Sequence, residues 1–431
     1  MTYDVTDPGA LGKRVRTDFP ILQHPLRGGN RLVYLDSAAT TQRPRHVLDA
    51  ERNFYEHHNA AAHRGAHQLS AAATHDYEQA RGTVAAHLHR PADEVVFTKN
   101  TTEAINLVAQ GIADRRCAKQ LRLRPGADIV VSEMEHHANL IPWQQACQRS
   151  GARLRWFPLT DDGRLCLDGI EELVTERTAL VAVTAQSNVL GTVNPVRTIA
   201  ARAHSVGAKV LVDGAQWAPH RQLDLDELGA DFLAFLGHKM CGPSNIGVLW
   251  GRRELLETLP PLITGGSIIE DVTMTTARFR PPPHRFEAGV PGVAQAVGLA
   301  AAFDYLGRIG WDNIAAHEEA LTEYALRQMA KLPDVTVIGP DTTKDRGGVI
   351  ALVHDRVPAR QLADMLDTAG VAVRVGHHCA RPLHARYGLP ATVRASFYLY
   401  NTYDDVDALV NVLHDAQQGA SARDRLAEAD G

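Results

Sequence analysis

Along most of the chain, short continuous apolar runs alternate with segments whose apolar residues recur every three or four positions. The runs at 94–97, 127–132, 180–184, 209–212 and 231–236 are rich in Val, Ile, Leu and Phe. Runs with no polar alternation predict strands of a sheet covered on both faces. The segments at 45–57, 71–88, from 101 to about 113 and 195–204 have helical spacing. Pro195 stands near the start of the last of these and Gly207 past its end, as helix geometry favours. Strand–helix alternation from about residue 31 to 250 predicts an α/β fold with a mostly parallel central sheet and helices on both faces. Residues 265–291 break the pattern with Gly and Pro and predict a long excursion near a cleft or a subunit contact. A helix at 291–310 follows. A second pattern then predicts a smaller α+β domain: helix 313–331, strands 335–338 and 348–353, helix 359–369, strands 371–375 and 393–397, and helix 404–417. The domain boundaries expected from this are a lead-in at 1–30 packing on the small domain, a large domain at 31–306, a small C-terminal domain at 307–418, and a disordered tail at 419–431 with few apolar residues.

The composition narrows the class. Of the 431 residues, 45% are hydrophobic and 22% charged, which suits a globular protein. A net charge of −5 gives no basic surface for nucleic acid. No apolar run approaches the length of a membrane span, and the first twenty residues lack the apolar core of a secretory signal. Five cysteines without a CxxC spacing predict reduced thiols and a cytoplasmic location, not a disulfide frame or a zinc site.

The chemistry concentrates at strand ends. The run KVLVDGAQ delivers Asp213 at its carboxyl end, and DFLAFLGHK delivers His238 and Lys239. Ligands of open α/β sheets bind in this crevice. An acid and an amine there suit a cofactor that needs an anion opposite a ring nitrogen and an amine for a covalent bond, as pyridoxal phosphate does. Alone, each residue also fits a turn or a solvated surface. After strand 94–97 comes TKNTTE and a helix. Free N–H groups at the helix start, with the Thr101 and Thr102 hydroxyls, form an anion cradle. A capping box with no ligand fits the same residues. His136 and His137 sit just past a strand end, where an imidazole can stack on a ring. A metal pair is the alternative, but no third ligand is evident. Asn188 is either a cleft contact or a turn former. His63 and Arg64 lie in a polar loop from which they could reach a cleft. In RVGHHCARP, the cationic surroundings of Cys379 favour a nucleophilic thiolate, although an inert buried Cys fits too. Arg394, on a strand, can clamp a carboxylate or make a surface ion pair.

Ten ordered motifs tie these pieces together: YLDSAAT, AHRGAHQLS, NTTEAINLVA, SEMEHHANLIPWQ, SNVLGTVNP, KVLVDGAQ, GHK, RFEAG, VRVGHHCARP and RASFYLYNT. With them the chain resembles the group II (SufS-like) cysteine desulfurases, in the aminotransferase class V branch of the fold-type I pyridoxal-phosphate enzymes, over about residues 17–415. The GHHCA form marks group II over the IscS-like group. The resemblance implies that Lys239 bonds to the cofactor and Asp213 pairs with its ring nitrogen. It implies that His136 stacks on the ring and moves protons, and that Gln216 contacts the ring oxygen. Thr101, Thr102 and His238 would hold the phosphate. Asn188, Arg374 and Arg394 would bind L-cysteine, and a mobile Cys379 would take its sulfur as a persulfide, leaving L-alanine. A homodimer with His63–Gly65 and the Val290 segment crossing between subunits is implied, as is a protein sulfur acceptor of the SufE or SufU kind. The sequence departs from the family at Leu236, where Ser or Thr is usual, at Val290, where Thr is usual, and at Asn245, where Gly is usual. Each lost hydroxyl removes a charge-assisted hydrogen bond of about 1.5–3 kcal/mol. These departures imply a looser cofactor and a paralogue feeding a dedicated pathway. Competing expectations are a selenocysteine or C–S lyase or an epimerase on the same frame, and a non-enzymatic partner subunit.

Overall fold

A computed structural model describes residues 8–429. Its centre is a seven-stranded sheet. In spatial order the strands are Val95–Thr98, Gly247–Gly251, Phe232–Leu236, Lys209–Asp213, Thr178–Thr184, Asp128–Ser132 and Arg153–Phe157. Only Gly247–Gly251 runs against its neighbours; the other strands share one direction. The apolar runs are continuous because successive side chains enter different cores. Val210 and Val212 join one cluster and Leu211 the other. Leu233 and Phe235 likewise separate from Phe232 and Ala234. Helices Thr101–Ala113 and Ile141–Ser150 pack on the Leu211 face. Helix Val196–Ser205 covers the other. Shared strand direction puts the carboxyl ends of Asp128–Ser132, Thr178–Thr184, Lys209–Asp213 and Phe232–Leu236 at one edge, and the cleft forms there.

Two central strands escaped the sequence reading. Gly247–Gly251 is flanked by glycines. Arg153–Phe157 is a sheet edge that alternates basic and apolar residues, with Trp156 exposed. The excursion contains a hairpin, Ile269–Val272 with Ala277–Phe279.

The smaller sheet has the antiparallel order Val335–Ile338, Val349–His354, Thr392–Ser396, Arg374–Gly376. The strand expected at 371–375 is two pieces, since Val371–Ala372 leaves this sheet to pair with Val33–Tyr34. Val33 and Leu35 consequently lie in the small domain's core with Leu321, Leu352 and Val371. A boundary at residue 31 therefore cuts elsewhere than the packing does. The last helix, Tyr403–Ala429, continues past the expected end at 417 and into the segment expected to be disordered, whose residues 430 and 431 lie outside the described residues.

The lead-in is fastened by charge. Asp405, fully buried, accepts hydrogen bonds from Arg16 at 3.3 Å and Arg31 at 2.6 Å. Phe19 meets the rings of Tyr305 and Tyr400 edge-on, so the lead-in touches the 293–309 helix as well as the loop before the last helix. Replacing Asp405 by Ala removes the buried charged acceptor shared by Arg16 and Arg31, while Arg16 keeps the Leu32 and Tyr400 carbonyls. The expected loss is about 1.5–3 kcal/mol of stability, read by denaturant unfolding.

Candidate functional site

A cavity of about 440 Å³ opens at the carboxyl edge of the central sheet. Asp213 and Lys239 both line it, on neighbouring strands, as the sequence predicts. Lys239 arrives on a short turn, Gly237–Lys239, directly after strand Phe232–Leu236. Burial pushes its amine down to about 8; the Asp213 charge opposes this and Arg394 adds to it. A neutral, nucleophilic amine is thus accessible near neutral pH. Burial raises Asp213, while the Ala215 N–H, at 2.9 Å, and Lys239 hold it down.

His136 lines the same cavity. Its Nδ1 accepts from the Ala138 N–H at 3.0 Å, so its proton sits on Nε2. Burial, helped by Lys239, pushes it down to about 3, leaving a neutral ring. His238 is pushed down to about 4, again mainly by burial. The His238 carbonyl is held by Thr40 and Thr41.

The phosphate cradle and the capping box turn out to be compatible. Asn100 is the N-cap and takes the Glu103 N–H at 2.9 Å, while Glu103 returns to the Lys99 N–H. That leaves the first two N–H groups, of Thr101 and Thr102, without helix partners. Both residues line the cavity, and the Thr101 hydroxyl is buried with no hydrogen-bond partner. Gln216 donates to the Ala38 carbonyl at 2.8 Å, but its own oxygen is buried and unpartnered. An anion at the helix start and a hydroxylated ring beside Gln216 would satisfy both. The residues therefore fit pyridoxal phosphate: Lys239, Asp213, His136, Gln216, Thr101, Thr102 and His238 would hold it.

The small domain closes the cavity with Arg374, His378, Cys379 and Arg394. Arg394 is buried and donates to the Asn188 carbonyl at 3.0 Å and to Asp36 at 3.2 Å. Arg374, half exposed, also grips Asp36. Asp36, from YLDSAAT, was not singled out in the sequence; an acid following an apolar run gave no signal that two arginines converge on it. Thr40, Thr184 and His378 were missed as well.

Asn188 lines the cavity, but its amide donates to the His378 carbonyl at 2.7 Å. Cys379 is exposed, and its carbonyl accepts from the His137 N–H at 2.7 Å. The main chain on both sides of the thiol is anchored, while its side chain is exposed. His63 and Arg64 do not line this cavity. His63, at φ 78°, turns onto Tyr77 and His284, and Arg64 is exposed. Asn245 has φ 59°, a left-handed conformation that Asn tolerates, so the departure from Gly costs little here. Leu236 does line the cavity, and Val290 lies 77% exposed outside it. Among the described residues no cluster can hold a metal, and no helix is long and apolar enough to cross a membrane.

Residues 33–409 match the aminotransferase class-V family. The chain belongs to that family. It is 54% identical over 410 residues to a probable cysteine desulfurase of Streptomyces coelicolor, covering 94% of this chain and 97% of that one. It is 50% identical over 403 residues to a cysteine desulfurase of Dickeya dadantii, covering 93% and 95%. The apo cysteine desulfurase of Thermococcus onnurineus NA1 superposes with a TM-score of 0.88 at 37% identity, covering 94% and 98%. The Escherichia coli cysteine desulfurase CsdA gives 0.85 at 37%, covering 96% and 99%. This class V member is thus a pyridoxal-phosphate-dependent enzyme with the fold-type I architecture, and its relatives favour desulfuration over lyase or epimerase chemistry.

Two outcomes follow from the geometry. In Thr101→Val, losing one buried donor to an anion weakens pyridoxal-phosphate binding about tenfold or more, measured by titrating apoprotein. In apoprotein, the rate at which Lys239 condenses with a small aldehyde rises with pH and is half-maximal near pH 8, because only the neutral amine reacts.

Proposed function

We propose that the enzyme converts L-cysteine to L-alanine, leaves the sulfur as a persulfide on Cys379 and passes it to a protein acceptor. The observation that supports this most directly is that Lys239, Asp213 and the exposed Cys379 share one cavity. Bound pyridoxal phosphate supplies an electron sink for bond cleavage next to the amino-acid α-carbon. The protein's residues do the rest. Arg394 and Arg374 receive the substrate carboxylate. Lys239 and His136, both held away from full protonation, carry protons between carbons and solvent. Cys379 attacks the substrate sulfur: a carbon–sulfur bond breaks, a sulfur–sulfur bond forms, and the thiol proton replaces sulfur on carbon. Cysteine plus thiol becomes alanine plus persulfide, with no outside oxidant.

The SufS-like subtype is supported by the GHHCA sequence. A homodimer is part of this proposal. His63, Arg64 and Val290 lie away from their own chain's cavity, which accords with a role at the neighbouring subunit's site. The acceptor is a thiol protein of the SufE or SufU kind, or a carrier of a dedicated pathway, and the location is cytoplasmic. With Leu236 and Val290 lacking hydroxyls, the phosphate has fewer donors and the cofactor is held less tightly than in hydroxyl-bearing relatives. Retention of stoichiometric cofactor through gel filtration, together with cluster assembly with general iron–sulfur partners, would contradict the dedicated-pathway reading.

Alanine and sulfide are measured after incubation with L-cysteine and reductant. Cys379→Ala is expected to abolish turnover while leaving the cofactor's absorption band intact, and Lys239→Ala to remove that band. Undiminished sulfide release in Cys379→Ala would overturn the proposal in favour of a lyase.

A further inference from the structure

The segment Gly376–Ala380 has an unusual backbone. His378 and Cys379 both adopt left-handed conformations, φ 50° and 56°. Such conformations in residues with a Cβ persist only where the surroundings over-determine them. Three main-chain anchors are present: the Asn188 amide on the His378 carbonyl, the His137 N–H on the Cys379 carbonyl, and the Ala380 N–H on the His377 carbonyl at 2.8 Å.

A fourth tie runs through side chains. His384 Nδ1 lies 3.0 Å from the Ala380 carbonyl, which can only accept. His384 therefore carries its proton on Nδ1, and its Nε2 is an acceptor. Thr392 Oγ1 lies 3.1 Å from that Nε2 and must donate to it. The same hydroxyl lies 2.9 Å from His378 Nε2 and, with its proton spent, must accept. His378 thus carries its proton on Nε2, and its Nδ1 is a bare lone pair, buried and without a partner. Burial lowers both histidines, so both rings are neutral; the Thr392 carbonyl beside His378 and the Gly376 carbonyl beside His384, which can only accept, also draw on a ring proton.

We propose that Thr392 is a positioning residue for Cys379: its single hydroxyl, passing one hydrogen bond on to His384 and taking one from His378, locks the thiol-bearing turn in its left-handed shape. Thr392 is buried on strand Thr392–Ser396, two residues before Arg394 and so on the same strand face. One strand face thereby sets both the arginine that receives the substrate and the turn that receives its sulfur. The proposal rests on the desulfurase reading for its kinetic consequence, but not for its tautomers.

The test has two parts. Nitrogen NMR of the histidine rings in the unmutated holoenzyme is expected to show the Nε2–H form for His378 and the Nδ1–H form for His384. An Nδ1–H form for His378 would overturn the proposal whatever the enzyme's activity. In Thr392→Val holoenzyme, capture of L-cysteine, followed by the change in cofactor absorbance, is expected to be unchanged, with KM unmoved. Persulfide formation on Cys379 is expected to slow about tenfold, the worth of one buried hydrogen bond. Thr392→Ser is expected to restore it. Equal rates in wild type and Thr392→Val, or a Thr392→Ser as slow as the valine variant, would also refute the proposal. Absence of any persulfide in wild type would instead strike the desulfurase reading.

Discussion

A buried amine beside a buried carboxylate sets the terms for the rest of this molecule. Lys239 and Asp213 stand on the carboxyl ends of adjacent parallel strands, and both are destabilised in their charged forms by burial. Each partly relieves the other. Such an arrangement costs stability, and it persists because the strands under it are packed on both faces by two large apolar clusters. The same sheet geometry brings in His136 and the helix start at Thr101. The large domain therefore assembles a cofactor cradle, and the small domain contributes the groups that would meet a substrate.

Asp36 joins the two parts. It leaves the Val33–Tyr34 strand, which pairs with the small domain, and immediately enters the turn whose Ala38 carbonyl holds Gln216 on the cofactor side. Its carboxylate pairs with both Arg374 and Arg394 and offsets one of their two charges. Two like charges side by side would otherwise repel. One positive charge is left over at this point of the cavity, and Asn188 links it to the turn bearing Cys379.

Much of this was legible in the sequence because the informative residues are local. A run of buried apolar residues ending in Asp, or in Gly-His-Lys, names both the strand and the group at its tip. Ten motifs in fixed order then specified the family. What was not legible depends on pairing across the chain. The strand Val33–Tyr34 gives no sign that its partner is more than three hundred residues away. Gly247–Gly251 has only three strand-forming residues, Val248–Trp250, between glycines, a run too short to stand out without the ladder partners its neighbours supply. The choice between capping box and anion cradle at Asn100–Glu103 was posed as exclusive, yet the helix start has enough N–H groups for both. His63 and Arg64 share a motif with the family yet do not line the cavity, and their loop carries no local signal of where they point. The anchored turn at Cys379 could not be read from spacing, because its constraints come from Asn188, His137 and Thr392.

The central claim is that the cavity holding Lys239 delivers substrate sulfur to Cys379. A single turnover of the holoenzyme with L-cysteine and no reductant, followed by mass mapping of the peptides, tests it most directly. The account predicts one added sulfur atom on the peptide containing Cys379, in step with one alanine released. Alanine released with Cys379 unmodified, or the added sulfur found on another of the five cysteines, would contradict it.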